Sequence, residues 1–117
     1  MAVSTVTKYS GGAYGKLDRA AGLERHHLPA DSISQISRMR GPAIQMDAAD
    51  HTLTSSYGNS IRAQAYREEI GVLLEQGRFR DAMAHEMRDV RRIAGAKYNE
   101  ALREMLDYAR SAGYLNK

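Results

Sequence analysis

The sequence predicts an α+β fold that is mostly α-helical, and three observations lead to this class. The chain of 117 residues divides into two unlike halves, the first rich in Gly, Ser, Thr and Pro and the second helical in its apolar pattern. It contains no cysteine and no long apolar run, which excludes disulfides, thiolate zinc sites and a transmembrane helix. It is 43% hydrophobic and 26% charged, as is typical of one globular domain.

The N-terminal part of this single domain, residues 1–21, is expected to be a flexible segment. Residues 1–14 are polar and Gly-rich, and they lack the apolar core of a signal peptide. If the protein leaves its cell, we therefore expect a separate carrier or an upstream domain to take it. No segment is expected to insert into a membrane.

Short elements are predicted in the next part of the chain, residues 22–58. A short helix is predicted over residues 31–38 and a short strand over residues 43–46. Asp47 can then cap a helical turn that carries His51.

The last part of the chain, residues 59–117, is predicted to form three amphipathic helices. Apolar residues recur every three or four positions, which gives each helix one face to bury. Asn59 or Ser60 can cap the first helix, and Gly77 and Gly95 can end the first two. The predicted spans are residues 60–76, 79–94 and 97–112.

Three of the four histidines lie in the irregular half, and His26 and His27 are adjacent. Adjacent side chains of a strand point to opposite faces, so one imidazole can face a metal while the other faces a substrate. Phosphodiester hydrolysis needs this division, because a metal polarises the phosphate and a neutral imidazole removes a proton from the attacking water. His51 is the candidate for a second metal ligand, assisted by Asp50 or Asp47.

Residues 24–29, with the sequence ERHHLP, resemble the paired-histidine signature of the HNH/endonuclease VII (His-Me finger) superfamily of polymorphic toxin nucleases. Residues 43–46, followed by Asp50 and His51, resemble the second strand of that family and the helix that brings its distal histidine. The resemblance covers about residues 22–58 and implies a ββα-metal-like element there.

The resemblance also implies roles for individual residues. His26 and His51 would be metal ligands, and His27 would be the general base. The implied cofactor is a divalent ion such as magnesium, manganese, nickel or zinc. Arg25 flanks the histidine pair and can stabilise negative charge in the transition state.

Two departures from the family pattern concern the metal ligands. A further histidine usually follows the distal one by about four residues, and Ser55 holds that position here. The usual asparagine within the motif is not clearly present, so Asp47 or Asp50 is the candidate to replace it in ligation or orientation.

Substrate contacts are predicted just beyond His51. The hydroxyls and amides of Ser56 and Tyr57 can hold a phosphate near the start of the next helix, where Arg62 can also reach one. The same polar run can also be a linker that caps the helix. The fourth histidine, His85, is interpreted as a surface residue in the middle of the second predicted helix.

The function that the resemblance implies is a metal-dependent nuclease of the Rhs or type VI effector kind. Such a toxin is secreted or injected, acts on nucleic acid in the target-cell cytoplasm, with DNA favoured over RNA here, and is neutralised in the producer by a cognate immunity protein. The formal charge of +3 and the excess of arginine over lysine are compatible with this. Two alternatives stay open: a metal hydrolase acting on another substrate, and a non-enzymatic helical binding module.

Overall fold

The computed structural model describes residues 9–31 and 34–115. Within them the chain forms three strands and four helices, which confirms the predicted α+β, mostly helical class. The strands are β1 (Gly11–Ala13), β2 (Leu23–His27) and β3 (Pro42–Asp47), and a 3-10 turn, Tyr14–Lys16, follows β1. The helices are α1 (Ala48–His51), α2 (Ile61–Glu75), α3 (Phe79–Ala94) and α4 (Asn99–Ser111).

The strands form one antiparallel sheet in the order β1-β3-β2, so β2 is an edge strand. In the register of β2 with β3, His26 lies opposite Ile44 and His27 lies opposite Ala43. Because side chains alternate along a strand, the two histidines project from opposite faces, as their adjacency predicted. Helix α1 begins directly after β3, so this part of the chain runs strand, strand, helix.

One face of the sheet is covered by α4, which packs on β1 and β3. Helix α3 contributes to the same core, and α2 packs on α3. The core therefore draws on both halves of the chain, because α4 packs on the strands rather than forming a bundle of its own with the other helices. Its buried members are Leu28, Ile44, Met46, Met83, Val90, Tyr98, Ala101, Leu102, Met105 and Ala109.

The N-terminal part differs from the expectation of a flexible segment, because residues 11–16 form β1 and the 3-10 turn. One of the glycines that suggested flexibility, Gly11, instead permits close packing. A Cβ built on Gly11 would lie 1.9 Å from the carbonyl oxygen of Ala101, so only glycine lets β1 approach α4 this closely. Residues 1–8 of the expected segment lie outside the described part of the chain.

The other face of the sheet carries the 3-10 turn and the chain that leads into β3. The helix predicted over residues 31–38 is not formed at residues 34–38, which make bends and a turn, while residues 32–33 lie outside the described part. The end of this segment is bonded to other elements instead: the carbonyl of Arg38 lies 2.8 Å from Nε2 of His27, and that of Gly41 accepts from the amide of Tyr14 at 2.9 Å. A small buried cluster results, formed by Tyr14, Leu17 and Ala43.

The three long helices follow their predicted spans closely. Helix α3 has the predicted bounds, and the cap of α2 is Ser60, whose Oγ accepts the amide proton of Ala63 at 3.0 Å. Helix α4 begins at Asn99 rather than at residue 97. Among the described residues, no helix combines the length and the apolar composition that a membrane span requires.

Candidate active site

The paired histidines at the end of β2 are both buried, but both line the same cleft. The cleft has a volume of about 750 Å³, and its lining includes all five residues of β2. Because β2 is an edge strand, the cleft reaches side chains on both faces of the sheet. Further residues that line it are Tyr14, Arg19, Asp31, Arg38, His51, Ser56 and Tyr57.

On the helical face, His26 lies beside His51, and the centroids of their rings are 5.0 Å apart. Helix α1 brings His51 to this position because it starts where β3 ends, next to β2. Burial, and the nearby charge of His51 when protonated, lower the pKa of His26 to about 3. The ring is therefore neutral, and within the described residues neither of its nitrogens forms a hydrogen bond.

The carboxylate of Glu24 fixes the orientation of His51. Its Oε1 lies 2.5 Å from Nδ1 of His51, and Glu24 stands two positions before His26 on the same face of β2. A carboxylate that accepts from Nδ1 leaves the Nε2 lone pair free, which is the arrangement that metal-binding histidines commonly have. Sequence reasoning missed Glu24, although the alternation of a strand through His26 would have placed both on one face.

On the opposite face, His27 is fixed through its other nitrogen. Nε2 lies 2.8 Å from the carbonyl oxygen of Arg38, and since a carbonyl only accepts, Nε2 carries the proton and Nδ1 keeps a free lone pair. Burial lowers the pKa of His27, so the neutral base is favoured. The close fit depends on Gly41, where a Cβ would lie 2.8 Å from Cδ2 of the ring.

Tyr14 is a common contact for the groups around His27. Its ring stacks on the imidazole with centroids 4.1 Å apart and planes at 8°. The Arg25 guanidinium lies 4.0 Å from the Tyr14 ring centroid and donates to the Tyr14 carbonyl, while Arg38 donates to the Tyr14 hydroxyl. No sequence signal pointed to Tyr14, which lies in the Gly-rich segment and reaches His27 only through the fold.

The loop after α1 forms the far side of the cleft, and two contacts hold it. The amide and hydroxyl of Ser55 both donate to Asp89 on α3, at 2.8 and 2.5 Å. Arg67 on α2 donates to the carbonyls of Ser56 and Gly58, each at 2.7 Å. Ser55, at the position of the further histidine in the family pattern, therefore serves as a structural anchor here.

No family model, curated protein or solved structure matches this chain. The resemblance of residues 22–58 to the His-Me finger superfamily therefore remains an interpretation of the residues themselves.

Two of the sequence-predicted site residues lie elsewhere. Oδ2 of Asp50 accepts hydrogen bonds from Lys97 at 2.8 Å and from Tyr98 at 2.6 Å, and these bonds lower the pKa of the carboxyl. Asp50 therefore ties α1 to the start of α4 and does not line the cleft. Arg62 is exposed in the first turn of α2 and does not line the cleft either, whereas Arg67, which was not predicted, braces the loop.

The neighbouring carboxylate, Asp47, is also occupied outside the cleft. It precedes α1 at the capping position, but its side chain makes no cap bond. Its Oδ2 accepts instead from Tyr9 and Lys97, at 2.8 and 2.7 Å. Asp47 and Asp50 thus share the Lys97 ammonium, and neither is available to replace a ligand beside His26.

His85, interpreted as a surface residue, lies in the groove between α2 and α3 with 33% of its side chain exposed. Its Nε2 lies 3.3 Å from Glu69, and the Tyr66 ring packs against it with centroids 5.6 Å apart. It does not line the cleft. A substitution of His85 therefore changes a histidine without altering the cleft.

The cleft offers two imidazoles to a metal ion. Across residues 9–31 and 34–115 no group of three or more His, Asp or Glu side chains is arranged to hold one. Two imidazoles that bind one zinc ion at about 2.0–2.1 Å place their ring centres roughly 5 Å apart, as His26 and His51 are. The spacing of the two rings is therefore compatible with an ion that has two protein ligands and whose other positions are left for water or a substrate oxygen.

Proposed function

We propose that this chain is a metal-dependent nuclease that hydrolyses phosphodiester bonds in the cleft along β2. The proposal rests on one observation: the proposed metal ligands and the proposed base lie on opposite faces of the same edge strand. His26 and His51 lie side by side on one face, with ring centroids 5.0 Å apart, and His27 keeps Nδ1 unprotonated on the other. The order of strand, strand and helix is the one that the His-Me finger resemblance implies.

The proton of the attacking water is taken by His27. Its Nδ1 is the free nitrogen, its ring is held by the Arg38 carbonyl and by Tyr14, and its lowered pKa keeps it unprotonated near neutral pH. A positioned base of this kind contributes roughly 10²–10⁴-fold to a rate.

His26 and Nε2 of His51 would hold the divalent ion, which when bound polarises the phosphate and steadies the leaving oxygen. Imidazole ligands suit zinc and nickel better than magnesium, which prefers carboxylate and water oxygens. Of the four ions that the resemblance allows, the donor set therefore favours zinc or nickel.

The substrate phosphates are bound by arginine. Arg25 and Arg38 lie against the Tyr14 ring, and Arg19 also lines the cleft. One guanidinium group can donate to two phosphate oxygens at once. Contact with an aromatic ring already restricts the arginine side chain, so it loses less conformational freedom when a phosphate binds.

The biological setting of the proposal follows from the resemblance. The chain would be the toxic part of a secreted or injected antibacterial effector that cleaves DNA in the cytoplasm of the target cell. A carrier or upstream domain would deliver it, and an immunity protein would protect the producer.

The test is incubation of plasmid DNA with purified protein that has been stripped with EDTA and then supplied with zinc, nickel, manganese or magnesium. We expect cleavage only after metal addition. His27→Ala should lower turnover by roughly 10²-fold or more, because the base is lost. His85→Gln is the matched control, since it changes a histidine outside the cleft.

Two results would contradict the proposal. One is cleavage that persists in EDTA, and the other is full activity in His27→Ala. Melting curves of both variants show whether any loss of activity reflects unfolding.

A further inference from the structure

The aromatic ring of Tyr57 is exposed at the edge of the cleft. It has 45% of its surface accessible and lines the same cleft as His26, His27 and His51. Its ring meets His51 edge-on, with centroids 5.1 Å apart and planes at 80°. The exposed ring surface is therefore open to a ligand that occupies the cleft.

The backbone around Tyr57 is held on both sides. Arg67 bonds the carbonyls of Ser56 and Gly58, and Asp89 bonds Ser55. Gly58 has a φ of 81°, which glycine adopts without strain and which turns the chain immediately after the ring. The ring is thus presented at a fixed place, so little conformational freedom is lost when something binds to it.

We infer that Tyr57 is a stacking platform for an unpaired nucleobase next to the phosphate at His26 and His51. The preferred substrate is then single-stranded or locally unpaired nucleic acid. This inference rests on the proposed nuclease function, because it assumes that a phosphodiester occupies the cleft.

The chemistry of the cleft supports a base on this ring. The charged groups that suit a phosphate backbone are arginines on the β2 and 3-10 turn side, namely Arg19, Arg25 and Arg38. Tyr57 lies on the other side of His51, where it offers an apolar ring surface. In a duplex the faces of the bases are covered by their neighbours, so only an unpaired or flipped base can stack on it.

Stacking must be distinguished from a hydrogen bond of the Tyr57 hydroxyl to a phosphate. Tyr57→Phe keeps the ring and removes the hydroxyl, whereas Tyr57→Leu keeps an apolar side chain and removes the aromatic ring. Stacking predicts that Phe preserves binding and that Leu and Ala do not. A hydroxyl contact predicts that Phe, Leu and Ala are equally weakened.

The experiment measures binding of a short fluorescein-labelled oligonucleotide by anisotropy, in EDTA to prevent turnover. The same sequence is tested as a single strand, as a duplex and as a single strand with abasic sites. We expect the wild-type chain to bind the single strand more tightly than the duplex. Tyr57→Ala should weaken single-strand binding by roughly 5- to 100-fold and change duplex binding little.

The inference fails if the duplex binds as tightly as the single strand, if abasic sites do not weaken binding, or if Tyr57→Phe behaves like Tyr57→Ala. Equal cleavage of both substrates would overturn the inference and leave the nuclease function intact. If the protein neither binds nor cleaves nucleic acid with any of the metals, both the stacking inference and the proposed nuclease function are contradicted. Melting temperatures of the Tyr57 variants must match the wild type, which separates lost stacking from a loosened loop.

Discussion

Tyr14 and His27 stack face to face, with ring centroids 4.1 Å apart and planes within 8° of parallel. The contact joins the 3-10 turn after β1 to the edge strand β2. Because Arg25 and Arg38 also lie on Tyr14, one ring from the N-terminal part of the chain orients the proposed base and the proposed phosphate ligands together.

We therefore expect Tyr14→Ala to lower turnover by about 10- to 100-fold, since small displacements of catalytic groups have effects of this size. Tyr14→Phe keeps the stack and loses only the hydroxyl bond to Arg38, so it should cost about 1 kcal/mol or less and stay active. Steady-state cleavage rates, with melting curves as the control for folding, test both. Equal activity in the Ala and Phe variants would contradict the positioning role.

Glu24→Gln should weaken metal binding. The carboxylate accepts from Nδ1 of His51, and loss of such a partner typically reduces metal affinity by about 10- to 100-fold. Calorimetric titration with Zn²⁺ measures this directly and needs no nucleic acid. Glu68→Gln, on the exposed side of α2, is the matched control. A zinc affinity that is unchanged in Glu24→Gln would contradict the supporting role of the Glu24 carboxylate.

Glu86 is expected to make the stability of the fold depend on pH. It is buried on α3, with 1% of its surface exposed, and burial raises its pKa from 4.5 to about 8. In the unfolded chain the carboxyl ionises near its ordinary pKa, but the folded protein keeps the proton. The free energy of unfolding therefore falls as pH rises from about 4.5 to about 8.

Glu86→Gln should remove this dependence while keeping an acceptor for the amide of Ala30, which donates to Glu86 at 2.8 Å. Near pH 8 we expect the variant to exceed the wild type in stability by several kcal/mol, on the order of 4, with little difference near pH 4.5. Urea denaturation at the two pH values provides the measurement, with Glu68→Gln beside it. Parallel pH profiles for the wild type and Glu86→Gln would contradict the assignment.

Gly11→Ala should destabilise the protein by about 1–3 kcal/mol or more, because the new Cβ would collide with backbone atoms of α4. Gly71→Ala is the matched control, since a Cβ there meets nothing within 4 Å. In the interior of α2 that change should stabilise by about 0.5–1 kcal/mol. Chemical denaturation compares them, and a neutral Gly11→Ala would show that β1 does not pack on α4 as described.

Local patterns predicted the parts of the fold that local energetics determine. The helices α2 and α3 were found from apolar spacing and from Ser60, because a helix bonds within itself. The opposite facing of His26 and His27 followed from the geometry of a strand. The structure contains the two helices and places the two histidines on opposite faces of β2, and neither prediction needed a contact between distant parts of the chain.

Long-range contacts account for what the sequence did not predict. Asp50 was a candidate ligand, but its partner Lys97 lies 47 positions away and no local pattern reveals the pair. The Gly-rich start of the chain suggested flexibility, whereas Gly11 is small so that β1 can lie against α4. Tyr14 and Glu24 were missed because their roles depend on which strand and which helix become neighbours.

The contact between β1 and α4 also has a consequence for biosynthesis. The amide of Gly11 donates to Oε1 of Glu104 at 3.1 Å, so elements from the two ends of the described chain support each other. A ribosome releases β1 well before α4, so β1 and β3 lack the helix that packs on them until α4 has been made. For the proposed nuclease, the sheet that carries the candidate site would lack this support until α4 has left the ribosome.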